Sequence, residues 1–247
     1  MKTLVKVLGP CVFAGTTMLS AALSAGEWGL GIGVAAQQAP QAGTDPQVVL
    51  LPFPSYQGER LSMDFGSVSY AVSQSESLRF SVDGQLRFDG YDPDDSEELG
   101  GLKERDLTFD AGLSMQISKP WGTLNFRFLT DTLGVHDGYE FSATYEYPVT
   151  LDRWTLVPSL GVTMPSDEMV DYYYGVRPGE ATSRRPAYKG SAVINTTVGA
   201  TVLYELSDRW QVMGGGQYTD LGDEITDSPI IERDYQMIVY SAIVYRF

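Results

Sequence analysis

Apolar and polar residues alternate one by one along much of this 247-residue chain, and this period of two constrains its fold more than any other feature. Between Leu78 and Phe88 the even positions are apolar or glycine, whereas the odd positions are all polar. Successive side chains of a β-strand point to opposite faces, so the pattern predicts strands with one apolar and one polar face. The same pattern recurs in residues 107–117, 124–128, 139–147, 154–163, 210–218 and 235–247.

These strands are expected to cross a membrane. After the first 25 residues, no run approaches the roughly 18 consecutive apolar residues of a spanning helix, so any crossing must use strands. Aromatic residues cluster near the ends of the predicted strands, which is typical of the interfacial girdles of membrane barrels. They are Trp121, Tyr145, Tyr147, Trp154, residues 172–174, Trp210, Tyr245 and Phe247.

The connections between the predicted strands alternate in length. Short turns at 119–122, 151–153 and 207–209 alternate with long polar segments at 89–104, 166–189 and 222–233. Eight strands are predicted from Leu78 to Phe247, and residues 28–36, 48–55, 61–65 and 68–73 supply four more. The expected fold is an all-β, transmembrane, antiparallel up-and-down β-barrel of about twelve strands, with ten strands as the alternative.

Residues 1–25 are expected to be a cleaved signal peptide, and residues 26–247 the barrel domain. Lys2 and Lys6 precede an uncharged stretch that ends at Leu23, and the small residues Ser24 and Ala25 follow it. This order is typical of a secretory signal. Loss of the two lysines changes the formal net charge from −15 to −17, which makes nucleic acid an unsuitable partner.

Charged residues on the polar faces of the strands are expected to point into the lumen. Two roles compete for them, because they either line a narrow water-filled path or pair with one another and close it. Basic and acidic positions alternate on neighbouring strands, which favours a paired and largely closed interior. These residues are Arg79, Asp83, Arg87, Asp110, Arg127, Asp131, Glu140 and Glu146.

No catalytic residue, cofactor site or metal site is predicted. The single histidine, His136, is interpreted as a turn residue, and the alternative is a barrel hydrolase built on His136 and Asp137. The acidic run 92–98 is interpreted as a solvated outer loop, in which cations can bridge to lipopolysaccharide phosphates. The tyrosines at 172–174 are interpreted as part of an aromatic girdle rather than as a binding platform.

Several motifs in the same order resemble the MipA/OmpV family. The resemblance covers nearly all of the chain after the expected signal peptide. The motifs are GYDPDDS at 90–96, LTD at 129–131, GVHDG at 134–138, DYYYGV at 171–176, RPAY at 185–188, LSDRW at 206–210, DSPI at 227–230 and YRF at 245–247.

This resemblance implies a non-enzymatic barrel in the cell outer membrane, in contact with its lipid and lipopolysaccharide. Some family members are scaffolds that link a lytic murein transglycosylase to a bifunctional penicillin-binding murein synthase, and we expect those partners here. The alternatives are a small porin-like channel and a surface adhesin. Tyr245 and Phe247 are expected to form the terminal signal that the barrel-assembly machinery reads.

Overall fold

The computed structural model describes residues 26–247 and shows a closed antiparallel barrel. Each strand pairs with the next along the chain, except that β8 pairs with β10, and β13 closes the barrel against β1 from Gly29–Arg246 to Gln38–Met237. The strands are β1 Glu27–Gln38, β2 Gln47–Gln57, β3 Leu61–Asp64, β4 Ser67–Gln74, β5 Leu78–Arg87, β6 Thr108–Lys119, β7 Gly122–Asp131, β8 Tyr139–Glu146, β9 Val149–Leu151, β10 Trp154–Pro165, β11 Asn195–Glu205, β12 Trp210–Asp220 and β13 Tyr235–Arg246.

The barrel has twelve strands, because β8 and β9 lie one after the other along the same edge of β10. Tyr147 and Pro148 separate β8 from β9, since proline cannot donate a hydrogen bond to the sheet. The predicted fold and the count of twelve are confirmed. The predicted signal peptide, residues 1–25, lies outside the described residues.

The alternation in the sequence separates the two faces of the barrel wall. In β5, for example, Phe80 and Val82 are exposed on the outside, whereas Ser81 and Asp83 are buried on the inside. An apolar outer face and a polar inner face are what a barrel in a bilayer requires.

The two ends of the barrel differ. All the long connections leave from one end, the long-loop end, and short turns and both described termini lie at the other, the short-turn end. Aromatic pairs surround the short-turn end, with ring centroids 4.4 to 6.2 Å apart, as in an interfacial girdle. They are Trp28–Tyr56, Trp121–Tyr145, Trp154–Tyr204 and Trp210–Tyr245.

Two short helices lie at the long-loop end, α1 at Asp167–Tyr174 and α2 at Asp223–Thr226. The Ser166 hydroxyl accepts a hydrogen bond from the Met169 amide and begins α1. The girdle interpretation of residues 172–174 is therefore wrong, since these tyrosines belong to a helix and Tyr173 is completely buried. Neither helix, nor any other in residues 26–247, is long and apolar enough to span a bilayer.

Candidate functional site

A cavity of about 1430 Å³ occupies the barrel interior. At the short-turn end it is lined by turn residues such as Glu59, Glu76 and Asp152. At the other end it stops beneath α1 and α2, which contribute Met169 and Ile225 to its lining. We call the short-turn end of this cavity its mouth.

Apolar packing between the helices closes the inner end of the cavity. Met169, Val170 and Tyr173 of α1 pack with Leu221 and with Ile225 of α2 in one buried cluster. Among residues 26–247, these helices therefore close the long-loop end of the lumen.

The cavity wall is hydroxyl-rich and acidic. Serine and threonine side chains occur on almost every strand that lines it, and eleven acidic residues face five basic ones. A concave surface with an excess of carboxylates attracts cations and repels anions. The cavity is thus suited to a cationic or polar occupant.

Five of the eight predicted lumen-facing residues line this cavity: Arg79, Asp83, Arg127, Glu140 and Glu146. Arg127 partly neutralises the wall, because its Nε lies 3.4 Å from Asp83 Oδ2. Its Nη1 also donates a hydrogen bond to Gln85 Oε1 at 2.7 Å.

Arg87 and Asp110 are buried in an ion-pair cluster near the long-loop end. Arg87 Nε donates to Asp110 Oδ2 at 2.5 Å, and Nη1 donates to Asp89 Oδ2 at 2.8 Å. Arg87 Nη2 lies 3.4 Å from Glu140 Oε1. A buried guanidinium with three carboxylate partners is compensated electrostatically, and it ties β5 to β6 and β8.

His136 lies in the β7–β8 turn, as predicted, but its ring is buried and has defined partners. Nε2 lies 3.2 Å from Asp110 Oδ1, and Nδ1 accepts a hydrogen bond from the Gly138 amide at 3.0 Å. Because Nδ1 is an acceptor, the neutral ring carries its proton on Nε2 and donates it to Asp110. The side chain of the neighbouring Asp137 takes no part, since it is exposed, and this residue has a positive φ of 54°.

Asp131, which was expected in the lumen, organises this turn instead. Its Oδ2 accepts hydrogen bonds from the amides of Val135, His136 and Asp137 at 2.5, 2.7 and 3.0 Å. Its Oδ1 accepts from the Thr108 hydroxyl at 2.6 Å. The position of Asp131 as the last residue of β7 places it level with the turn rather than with the cavity.

Asp110, Asp131 and His136 form the one cluster of potential metal ligands found among residues 26–247, with ligand atoms within 4.8 Å of one another. The atoms that would bind a cation are already hydrogen-bonded within the protein. The Arg87 guanidinium, 2.5 Å from Asp110, already supplies the positive charge. The arrangement is that of a structural network that holds the turn to the wall.

Two arginines join the long loops into what we call the loop cap, residues 89–107 and 166–194. Arg105, only 2% exposed, donates to the backbone oxygens of Tyr172 at 2.6 Å and Lys103 at 2.9 Å. Its Nη1 and Nη2 also donate to the Glu180 carboxylate at 3.2 and 3.0 Å.

Arg185 forms a second link in the loop cap. Its Nη1 donates to the Glu98 backbone oxygen at 2.7 Å, and its Nη2 donates to the backbone oxygens of Gly100 and Glu180 at 3.1 Å. No sequence pattern predicts these contacts, because the partners lie 75 to 87 residues apart or are backbone atoms.

The same contacts stabilise the charged form of Glu180. Burial alone would raise its pKa, but hydrogen bonds from Arg105 and from the amides of Arg177 and Lys103 outweigh burial and lower the pKa to about 2. Glu180 is therefore ionised at neutral and mildly acidic pH.

The model of the family described as MltA-interacting protein MipA matches residues 30–247. The chain belongs to this family. Outer membrane protein Omp26La of Vibrio anguillarum is 31% identical over 78% of this chain and 76% of its own length. The MltA-interacting protein of Escherichia coli K12 is 27% identical over 94% of both chains.

A second Escherichia coli relative, the putative outer membrane protein YiaT, is 28% identical over 92% of this chain and 94% of its own. Among solved structures, the NanC porin superposes with a TM-score of 0.49 at 8% identity, over 88% of this chain and 100% of that one. With its barrel fold and these relatives, this MipA-family protein is an outer-membrane protein.

Proposed function

We propose that this protein is a non-enzymatic scaffold that holds murein-remodelling enzymes at the inner face of the outer membrane. The observation that carries the proposal is that, among residues 26–247, the cavity is lined by short turns at one end and by α1 and α2 at the other. Barrels of the outer membrane have their short turns on the periplasmic side, so we take the mouth to face the periplasm. Murein and its enzymes reach that side, whereas the loop cap and the helices close the other.

The relatives suggest which enzymes bind. One of them is named MltA-interacting protein and aligns with 94% of this chain. That name supports a lytic murein transglycosylase as the first partner. The proposal of a bifunctional penicillin-binding murein synthase as the second partner rests on the family resemblance alone.

The charge around the mouth indicates the chemistry of the docking segment. Of the turn residues that line the cavity there, Glu59, Glu76, Asp152 and Asp208 are acidic and Lys119 and Arg153 are basic. Charge complementarity guides association and specificity more than it adds affinity. We therefore expect the partner to present a basic or hydroxyl-binding segment to the mouth.

Photo-crosslinking in intact cells tests the proposal. A photoreactive residue replaces Glu76 or Asp152 at the mouth, and a matched control replaces Gly179, which is exposed in the loop cap. Mass spectrometry should identify a lytic transglycosylase or a murein synthase in adducts from the mouth and in none from Gly179. If correctly inserted protein yields neither enzyme from either mouth position, the scaffold function is excluded.

The channel alternative predicts a different result. It requires α1 and α2 to leave the lumen, because they close the cavity beneath the long loops. Steady single-channel currents from the purified protein in planar bilayers would favour the channel over the scaffold. We expect no such current.

A further inference from the structure

The barrel wall has a notch on its long-loop side, between β2 and β5. The two strands between them are short, since β3 has four residues, and the β3–β4 hairpin turns at Phe65 and Gly66. Strand β2 has eleven residues, but it pairs with β3 only at Tyr56 and Gln57. Above those residues β1 is the strand partner of β2, and residues 26–247 supply none on the other side.

In the part of the chain that the structure describes, no further backbone segment pairs with the free edge of β2. No backbone of residues 26–247 outside β1 and β3 hydrogen-bonds to residues 47–55. An open edge in lipid is costly, because each unsatisfied amide costs several kcal/mol there. Pro52 and Pro54 lie in this stretch, and proline has no amide to leave unsatisfied.

The notch lies within the bilayer rather than above it. In register across the sheet, Leu50 lies opposite Val34, which lies opposite Ser241. Ser241 is midway along β13, between Tyr235, which stacks on Tyr218 near the long loops, and Tyr245 in the girdle at the other end. The outward-facing side chains at the free edge are apolar and exposed, with Leu50 72% and Val48 64% exposed.

The inner side of the notch is apolar, although most of the barrel interior is polar. Val49 and Leu51 point inward from β2 and pack with Ala35, Ile238 and Phe88 in a buried cluster. Phe65, at the tip of the short hairpin, stacks on Phe88 with ring centroids 6.0 Å apart. An apolar patch thus continues from the lipid face through the notch to the barrel interior.

We propose that the notch is a lateral binding site for an acyl chain of a membrane lipid, which lies along the free edge of β2 and displaces Phe65 to reach Leu51 and Phe88. A hydrocarbon chain does not need hydrogen bonds from the free edge. The contacts that it displaces in the notch are apolar, like the contacts that it makes. Because the long loops of these barrels face outward, the site opens to the outer leaflet. The proposal does not depend on the scaffold function.

Site-specific photo-crosslinking to lipid tests this site. Benzoylphenylalanine replaces Leu51, which points inward at the notch, or Leu50, which points into the bilayer as the positive control. A third variant replaces Val157, an inward and equally buried residue of β10 far from the notch. Lipid adducts are expected at Leu51 within about threefold of those at Leu50, and at background for Val157.

A fourth variant keeps the test valid if the substitution at Leu51 prevents folding. Benzoylphenylalanine at Phe88 preserves an aromatic ring in the same cluster and should also yield a lipid adduct. Reconstitution with phospholipid alone or with added lipopolysaccharide identifies which lipid supplies the chain. If folded Leu51 and Phe88 variants both give only the background seen at Val157 in both membranes, the notch binds no lipid.

Discussion

The Arg105 guanidinium lies 3.0 Å from the Glu180 carboxylate and joins two long loops that are 75 residues apart in the sequence. Both side chains are buried, and each also bonds the backbone of the opposite loop, as Glu180 does at the Lys103 amide. This ion pair therefore links the two segments of the loop cap through both of its side chains.

Glu180→Gln should open the loop cap without unfolding the barrel. The change keeps the shape but leaves the Arg105 charge buried and unpaired, which costs about 3 to 5 kcal/mol. Limited proteolysis of the protein in vesicles should then cleave residues 166–194 at least about 100-fold faster than in the wild type. Glu97→Gln, at an exposed acid of the same cap, is the control, and equal cleavage of both variants would contradict this role of Glu180.

The loop cap should also open in strong acid. The pKa of Glu180 is lowered to about 2, so its contribution to stability is complete above its ordinary pKa of 4.5 and is lost as the pH falls from 4.5 through 2. A nitroxide label on Ser183→Cys should remain immobile from pH 7 to pH 5 and become mobile below about pH 4. Mobility that is unchanged down to pH 2 would show that Glu180 does not hold the cap.

His136→Ala should destabilise the barrel rather than abolish a reaction. The substitution leaves Asp110 Oδ1 and the Gly138 amide without their partner, which costs about 1 to 3 kcal/mol. The folded band in gel electrophoresis should disappear at a lower temperature than in the wild type. Asp137→Asn changes the exposed neighbour, whose positive φ asparagine tolerates, and should leave that temperature unchanged. An equal loss in both variants would point to the turn backbone instead of the ring.

Gly112→Ala should prevent assembly of the barrel. A Cβ at this position in β6 would lie 1.8 Å from the Phe128 backbone oxygen, and a paired strand cannot move away from it. We expect a loss of more than about 4 kcal/mol and no folded band. Gly179→Ala, where nothing lies within 4 Å of the added Cβ, should fold normally. Normal folding of Gly112→Ala would show that β6 and β7 are not tightly paired at this position.

The strands were predictable because a bilayer imposes the alternation that they follow. Successive side chains of a strand alternate between the two faces, so Asp83 must face the lumen when Val82 faces lipid. The same alternation in β7 places Arg127 inside. The count of twelve depended on residues 28–73, where β3 and β4 are short, and the sequence there predicted all four strands.

Helix α1 was missed because three consecutive tyrosines favour a strand or a girdle on propensity alone. A signal for the helix was present, since Ser166 is followed by Asp167 and Glu168, a typical N-terminal sequence. The pairs Arg105–Glu180 and Asp110–His136 had no such signal. Their partners come together only through the folded loops, and a local pattern carries no information about that.

The most direct test of the account is the side from which the cavity is accessible. The sequence has one cysteine, Cys11, in the expected signal peptide, so Ser114→Cys in the cavity wall would be the single thiol of the processed protein. A maleimide too large for general porins should label it in cells with a permeabilised outer membrane and not in intact cells. Asp94→Cys in the loop cap should be labelled in both. Labelling of Ser114→Cys in intact cells would show that the cavity opens outward and would contradict the periplasm-facing cavity on which the scaffold function rests.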